Sequence, residues 1–141
     1  MLCRKRTIAP TLKIHDPRRP MPQTVTGTDF TQTIDLNLAG DTPHVIVYKF
    51  FTRGPLPTDD WQPLANGSTP PTGVYHKSFS TNQDGQLYYM LGVGSFAANS
   101  PFRVALTFSQ NGKLLDSGTV IWAGTADASG TAYKQDWVNF E

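Results

Sequence analysis

Residues 102–123 read FRVALTFSQNGKLLDSGTVIWA, and this stretch decides the fold class. Large apolar residues alternate with small or polar ones from Phe102 to Phe108, which is the two-residue period of a half-buried β-strand. Asn111-Gly112 then supplies the positive φ angles of a type I′ turn, whose twist matches that of the strands on either side. Lys113–Ala123 runs back as the second strand. The stretch therefore predicts a β-hairpin.

The two-residue turn also predicts the register of this hairpin, because each later pair steps outward by one residue on each strand. The predicted core-face pairs are Phe108–Leu115, Leu106–Ser117, Val104–Thr119 and Phe102–Ile121. Trp122 then points away from the core. A β-bulge at Gly118 would reverse this assignment. In the first register the opposite face is a candidate protein interface, with Trp122, Arg103, Leu114 and Val120 as its residues.

Further strand-like runs lie on both sides of the hairpin, with turn residues between them. They are Phe30–Leu38, Val45–Phe51, Val74–Ser80, Gln86–Val93 and Tyr133–Phe140. Asp84-Gly85 predicts a hairpin between the third and fourth of these runs. The proline-rich segment Arg53–Gly73 is predicted to be a long loop. We therefore expect an all-β fold, an antiparallel β-sandwich of seven to eight strands that is immunoglobulin-like or jelly-roll-like.

The first 28 residues differ from the rest, and we predict an extended arm at 1–28 followed by one sandwich domain at 29–141. The arm contains four prolines, which restrict the backbone and remove hydrogen-bond donors. Residues 1–22 hold six Lys/Arg against the single acid Asp16, whereas the remainder holds six against ten. Such an arm can bind nucleic acid or an anionic membrane. We favour instead a solvated leader, an early start codon or an arm that docks on the acidic body, and expect no nucleic-acid partner.

Composition narrows the class further. Charged residues make up 16% of the chain, with 12 Gly and 11 Pro, which suits strands and turns better than a helical bundle. Cys3 is the single cysteine, so no intrachain disulfide can form. A signal-peptide pattern and a run of about 20 apolar residues are both missing, so we expect a cytoplasmic protein without a membrane span.

The sequence offers no catalytic motif, and we predict neither catalytic residues nor a cofactor. The three histidines, His15, His44 and His76, have no Cys, Asp or Glu at a ligand spacing, whereas zinc needs three or four converging ligands. No metal site is therefore expected. A cleft in which His44 or His76 converges with a carboxylate would favour an enzyme instead.

At least three of the predicted strands carry apolar residues on both faces. In Val45–Phe51 and in Gln86–Val93, large side chains occupy odd and even positions alike. The outer face of an ordinary sandwich sheet is wet and polar. We therefore expect the second face to be covered by the arm, by the 53–73 loop or by another protein chain.

Aromatic residues supply the remaining functional signal. Trp61 lies in the predicted loop beside Asp59 and Asp60, and an indole with neighbouring carboxylates suits stacking against a sugar ring. A plug at the open end of the sandwich would also account for Trp61. The sequence thus predicts a non-enzymatic binding module for a glycan or a protein partner, with a homo-oligomer as one form. The alternatives are a self-assembling, capsid-like structural protein with a basic arm and an enzyme whose site is unrecognised.

Overall fold

The computed structural model describes residues 23–40, 45–54, 56, 58–69, 74–94 and 97–141. Within these residues the chain forms nine strands and no helix. The strands are β1 Gln23–Val25, β2 Ile34–Gly40, β3 Val45–Arg53, β4 Gln62–Thr69, β5 Val74–Phe79, β6 Gln86–Gly94, β7 Pro101–Gln110, β8 Lys113–Thr125 and β9 Ala132–Phe140.

The nine strands form two packed sheets, which confirms the predicted all-β sandwich. The five-stranded sheet has the order β1-β9-β6-β3-β4, and the four-stranded sheet has the order β5-β2-β7-β8. All pairs are antiparallel except β1 with β9, which run parallel from Gln23↔Val138 to Val25↔Phe140. Among the described strands, β3–β4 and β7–β8 are the neighbours in sequence that also pair in space.

The core lies between the two sheets and is filled by alternate side chains of nearly every strand. Phe50, Phe108 and Phe140 are fully buried, and Phe140 meets Phe108 edge to face with ring centroids 5.2 Å apart. Phe108 belongs to one sheet and Phe140 to the other, so their contact holds the two sheets together. An edge-to-face pair stabilises a fold by about 0.5–1.5 kcal/mol beyond the effect of the apolar area it buries. The other fully buried side chains are Ile34, Leu36, Leu38, Ile46, Leu87, Leu106, Val25 and Val138.

The predicted hairpin is confirmed, and it contains the bulge that the sequence left open. Gln110 pairs with Lys113 across a turn in which Asn111 and Gly112 have φ angles of 52° and 75°. Ser109 pairs with Leu114, but Thr107 pairs with Thr119, so residues 115–118 lie opposite one residue of β7. Because this bulge adds an odd number of residues to β8, the side chains beyond it change faces.

The register predicted without a bulge is therefore wrong beyond Ser109. Leu106 pairs with Val120, and Val104 pairs with Trp122. Val120 is 8% exposed, and Trp122 packs against the core with its ring 4.7 Å from that of Phe102. Ile121, predicted to be a core residue, is 44% exposed instead.

Two strands were not predicted. The segment predicted as a loop at Arg53–Gly73 contains β4, which pairs with β3 around a bulge at Phe50/Phe51. Gln23–Val25, within the predicted arm 1–28, forms β1, while residues 1–22 lie outside the described part. The Gln23 side chain donates to the Thr119 carbonyl oxygen at 2.8 Å, so β1 connects the two sheets.

The predicted hairpin at Asp84-Gly85 is also wrong. A turn is present, with Asp84 at φ 60° and the Gly85 N–H donating to the Asn82 carbonyl at 2.8 Å. However, β5 belongs to the four-stranded sheet and β6 to the five-stranded sheet, so the turn carries the chain across the sandwich.

The described residues contain no helix with the length and hydropathy of a membrane span.

Candidate functional site

The side chains of β3, β6 and β9 that point away from the core form one surface, which we call the aromatic face. Pairing aligns these side chains in three rows across the strands. The rows are Val47–Gly92–Tyr133, Lys49–Met90–Gln135 and Phe51–Tyr88–Trp137. The two-faced apolar pattern predicted for β3 and β6 is thus real, and its second half lies on the outside of the sandwich.

Tyr133 is the most exposed member of the aromatic face, at 82%. A Cβ atom on Gly92 would lie 3.2 Å from Cε1 of the Tyr133 ring, so the ring lies close against the bare backbone of β6. Val47 is 51% exposed and Met90 39%. These three side chains, with Lys49 and Gln135, line a groove of about 530 Å³. The sheet therefore offers an open apolar groove with polar groups on one side.

Trp61 adds to the other end of the aromatic face. Its ring lies 5.5 Å from that of Tyr88, and the Arg53 guanidinium carbon lies 4.4 Å from the Trp61 ring centroid. The Arg53 Nε–H donates to Oε1 of Gln86 at 2.8 Å, and the Gln86 amide donates to Oδ1 of Asn139 at 2.7 Å. This relay across three strands holds Arg53 against the indole. Arg53 and Trp61 thus cover the Tyr88 end, whereas none of the described residues covers Tyr133, Val47 and Met90.

The two aspartates predicted to act with Trp61 have separate positions. Asp59 Oδ2 accepts the Leu56 N–H at 3.0 Å, and the Asp59 N–H donates to the Leu56 carbonyl at 2.9 Å, which makes Asp59 part of a local turn. Asp60 is exposed and lines a second, polar pocket with Arg53 and Gln62. The structure therefore brings Trp61 to Tyr88 and Arg53. Glycan binding by the predicted trio stays a prediction.

The four residues of the predicted interface divide between two faces. Arg103 and Leu114 lie on the outer face of the four-stranded sheet, where Leu114 is 53% exposed. Val120 and Trp122 turn towards the core because of the bulge at 115–118. The proposed patch is not continuous in this fold.

One histidine does meet a carboxylate. His76 Nε2 lies 3.6 Å from Oδ1 of Asp35, and the Ser78 hydroxyl donates to the same oxygen at 2.7 Å. A serine nucleophile requires a base that takes its proton, but the Ser78 hydroxyl is directed at the carboxylate and not at the imidazole. The cluster also lies on an exposed sheet face rather than in a cleft. This arrangement therefore lacks the geometry of a hydrolytic triad.

No cluster of three His, Cys, Asp or Glu residues that would suit a metal ion occurs among the residues with assigned positions. His15 and His44 lie outside those residues. The expected absence of a metal site and of catalytic residues stays a prediction.

A small polar group lies on the inner side of the five-stranded sheet. Asp136, 9% exposed, pairs across the strands with Tyr89, and its Oδ2 lies 3.8 Å from the Lys134 ammonium. Burial, and then the negative charge of Asp136, raises the pKa of Tyr89 above its ordinary value. Asp136 Oδ1 also accepts the N–H of Trp137 at 2.9 Å.

Sequence reasoning missed the centre of the aromatic face. The apolar residues on both sides of β3 and β6 were a usable signal, but Tyr133 joins them only through the order β3-β6-β9.

Comparison with protein-family models, with curated proteins and with solved structures finds no match to this chain.

Proposed function

We propose that this protein is a non-enzymatic glycan-binding module and that the aromatic face is its binding surface. The observation that carries the proposal is Tyr133, whose ring lies against Gly92 and yet is 82% exposed beside an apolar groove. A pyranose presents a flat face of C–H groups, which packs on an aromatic ring as other apolar surfaces do. A ring already supported by the sheet loses little conformational freedom when a sugar stacks on it.

Polar groups beside the ring fit the same ligand. Gln135 lies one row from Tyr133, and its Oε1 accepts the Tyr88 hydroxyl at 3.0 Å, which orients the amide. The remaining N–H groups of that amide, together with the Lys49 ammonium, can donate to sugar hydroxyls. Stacking and hydrogen bonding are then available on one rigid surface.

Replacing the supported ring tests the proposal. We expect Tyr133→Ala to weaken binding of a polysaccharide ligand by about tenfold, since the stacking contact is lost. Isothermal titration calorimetry against a panel of soluble polysaccharides measures this. Ile121→Ala is the matched control, because Ile121 is 44% exposed on the other sheet and its loss should leave binding unchanged. Absence of binding to the whole panel would contradict the proposal.

A protein ligand, including a second copy of this chain, is the alternative that one observation favours. Val47 and Met90 are exposed aliphatic side chains at the centre of the aromatic face, and contiguous apolar area of this kind marks protein interfaces. Sedimentation equilibrium separates the two functions. A dimer that Met90→Lys dissociates would support self-association through this face, whereas a monomer that binds a polysaccharide supports the glycan module.

A further inference from the structure

We propose that the glycan bound by the aromatic face is acidic, with carboxylate or sulfate groups that the Lys49 ammonium recognises. This inference rests on the proposed function and adds the chemical class of the ligand. It follows from how charge is distributed over the five-stranded sheet.

The described strand positions on the outer side of this sheet include cations and no acid. Its outward-facing described positions hold Lys49 and Arg53, and none of them is Asp or Glu. Asp60 lines the polar pocket beside Arg53, at the Trp61 end, and lies outside the three rows of the aromatic face. Asp136 belongs to a strand of this sheet, but it is 9% exposed and lies on the inner side with Lys134.

Lys49 lies at the middle of the aromatic face. Its row contains Asn66, Met90 and Gln135, none of which is charged. The ion pairs found among the described residues involve His76 and Lys134, so within that part of the chain no carboxylate neutralises Lys49. Its ammonium is therefore available to an anionic group that lies beside the Tyr133 groove.

Arg53 places a second cation on the same strand. It is four residues from Lys49, or about 14 Å along β3. Its guanidinium is bound to Gln86 and stacked on Trp61, with no carboxylate in the relay. An extended polymer that lies along β3 would pass the Tyr133 ring beside Val47, then Lys49, and then Arg53 stacked on Trp61. A repeating acidic sugar supplies both kinds of complementary group.

Single-stranded nucleic acid would also stack on aromatic rings, but it presents one phosphate per nucleotide and is held by a groove of many basic residues. Two cations on the described strands are too few for such a groove, but each can pair with a separate sugar unit of an acidic polysaccharide. An acidic polysaccharide is accordingly the class that the surface favours.

The test compares pairs of polysaccharides that share a backbone and differ in charge. Polygalacturonate, alginate and hyaluronan are each titrated beside their esterified, neutral forms, together with neutral glucans and a thymidine oligonucleotide. We expect the acidic member of at least one pair to bind about fivefold more tightly at low salt, which is the upper end for one exposed ion pair. Added NaCl should remove this advantage.

Lys49→Gln should weaken binding of the acidic member by more than binding of the neutral member, because glutamine keeps hydrogen-bond donors for sugar hydroxyls and loses only the charge. Lys113→Gln is the matched control, because Lys113 is exposed at the hairpin of the other sheet. This inference would be overturned, while the proposed function stands, by either of two results. The neutral forms could bind as tightly as the acidic ones, or Lys49→Gln could leave the preference for the acidic form intact. Binding by the oligonucleotide alone, or by no polysaccharide, would overturn both.

Discussion

The side-chain amide of Gln110 holds the segment before β2 against the end of β7. Gln110 is 7% exposed, and its Nε2 donates to the carbonyl oxygens of Asp29 at 2.8 Å and Thr33 at 3.3 Å. Its Oε1 accepts the Asp29 N–H at 2.9 Å. One glutamine thereby binds three backbone groups of the segment before β2.

We expect Gln110→Leu to lower the free energy of unfolding by about 1 kcal/mol, because it removes these hydrogen bonds at similar side-chain volume. Urea denaturation followed by tryptophan fluorescence measures the change. Gln83→Leu, at an exposed turn position, should change stability by less than about 0.5 kcal/mol. Equal effects of the two substitutions would contradict the role given to Gln110.

Asp127 organises the turn before β9 and makes it sensitive to acid. The N–H groups of Thr131 and Ser129 donate to Asp127 Oδ1 at 3.1 and 2.8 Å, and they lower the pKa of Asp127 below its ordinary value of 3.8. A lowered folded-state pKa means that this stabilisation is present above pH 3.8 and is lost as the pH falls through the lower value. The turn should therefore keep its structure down to about the ordinary carboxyl pKa and loosen below it.

Nuclear magnetic resonance can follow this turn directly. The amide proton shifts of Ser129 and Thr131 should titrate together, with a midpoint below 3.8. Asp127→Ala should remove the titration and shift both amides towards random-coil positions at neutral pH. A midpoint above 3.8, or titration that survives in the alanine variant, would refute the assignment.

Single residues were only partly predictable as site members. Trp61 stands out in the sequence by its type and its loop context, and it does reach the aromatic face. Tyr133 gave no such signal, because its importance comes from Gly92 on the neighbouring strand. A cross-strand contact of this kind depends on pairing between segments about 40 residues apart, which no local pattern encodes.

The bulge in β8 is the element that decides which side chains are buried after the hairpin. A Cβ atom on Gly118 would lie 2.7 Å from the carbonyl oxygens of Leu115 and Phe108. These are backbone atoms, so they can move only if the bulge itself moves. Ser117, beside it, has a φ of 56°. The bulge thus requires the residue at 118 to lack a side chain.

Gly118→Ala should destabilise the protein by about 1–3 kcal/mol, the usual effect of forcing an atom into packed space. Gly94→Ala is the control, since a Cβ there meets no atom within 4 Å, and we expect a change under about 0.5 kcal/mol. Thermal or urea unfolding of the two variants gives the comparison. Similar stability of both variants would mean that the bulge adapts.

Strands were predictable where one face is apolar and the other is not, as in β7, or where the run is strongly apolar, as in β3. The strand β4 escaped prediction because QPLANGST has no alternation and contains a proline. It is a strand because β3 offers it a row of backbone partners. Tertiary pairing overrode local propensity there.

The arrangement of the two sheets could not be deduced from the sequence. Local turn signals at Asn111-Gly112 and Asp84-Gly85 are alike, yet the first closes a hairpin and the second crosses between sheets. The two turns differ in backbone conformation, because Asn111 and Gly112 both have positive φ angles, whereas at 84–85 only Asp84 does. Because the aromatic face depends on β3, β6 and β9 being neighbours, this surface became visible only with the complete fold.

The inward carboxylate of Asp136 has a consequence for contacts between whole molecules. The Phe140 N–H donates to the Gly85 carbonyl oxygen, on the β6 side of β9. Because N–H directions alternate along a strand, the Trp137 N–H points to the other edge of β9. On that edge β1 pairs with residues 138–140 and does not reach Trp137. Asp136 already occupies that donor. A strand of another molecule would have to displace the Asp136 carboxylate from the Trp137 N–H before it could pair with this edge. Among the described residues this part of the β9 edge has no strand partner, and Asp136 there hinders edge-to-edge pairing with another molecule.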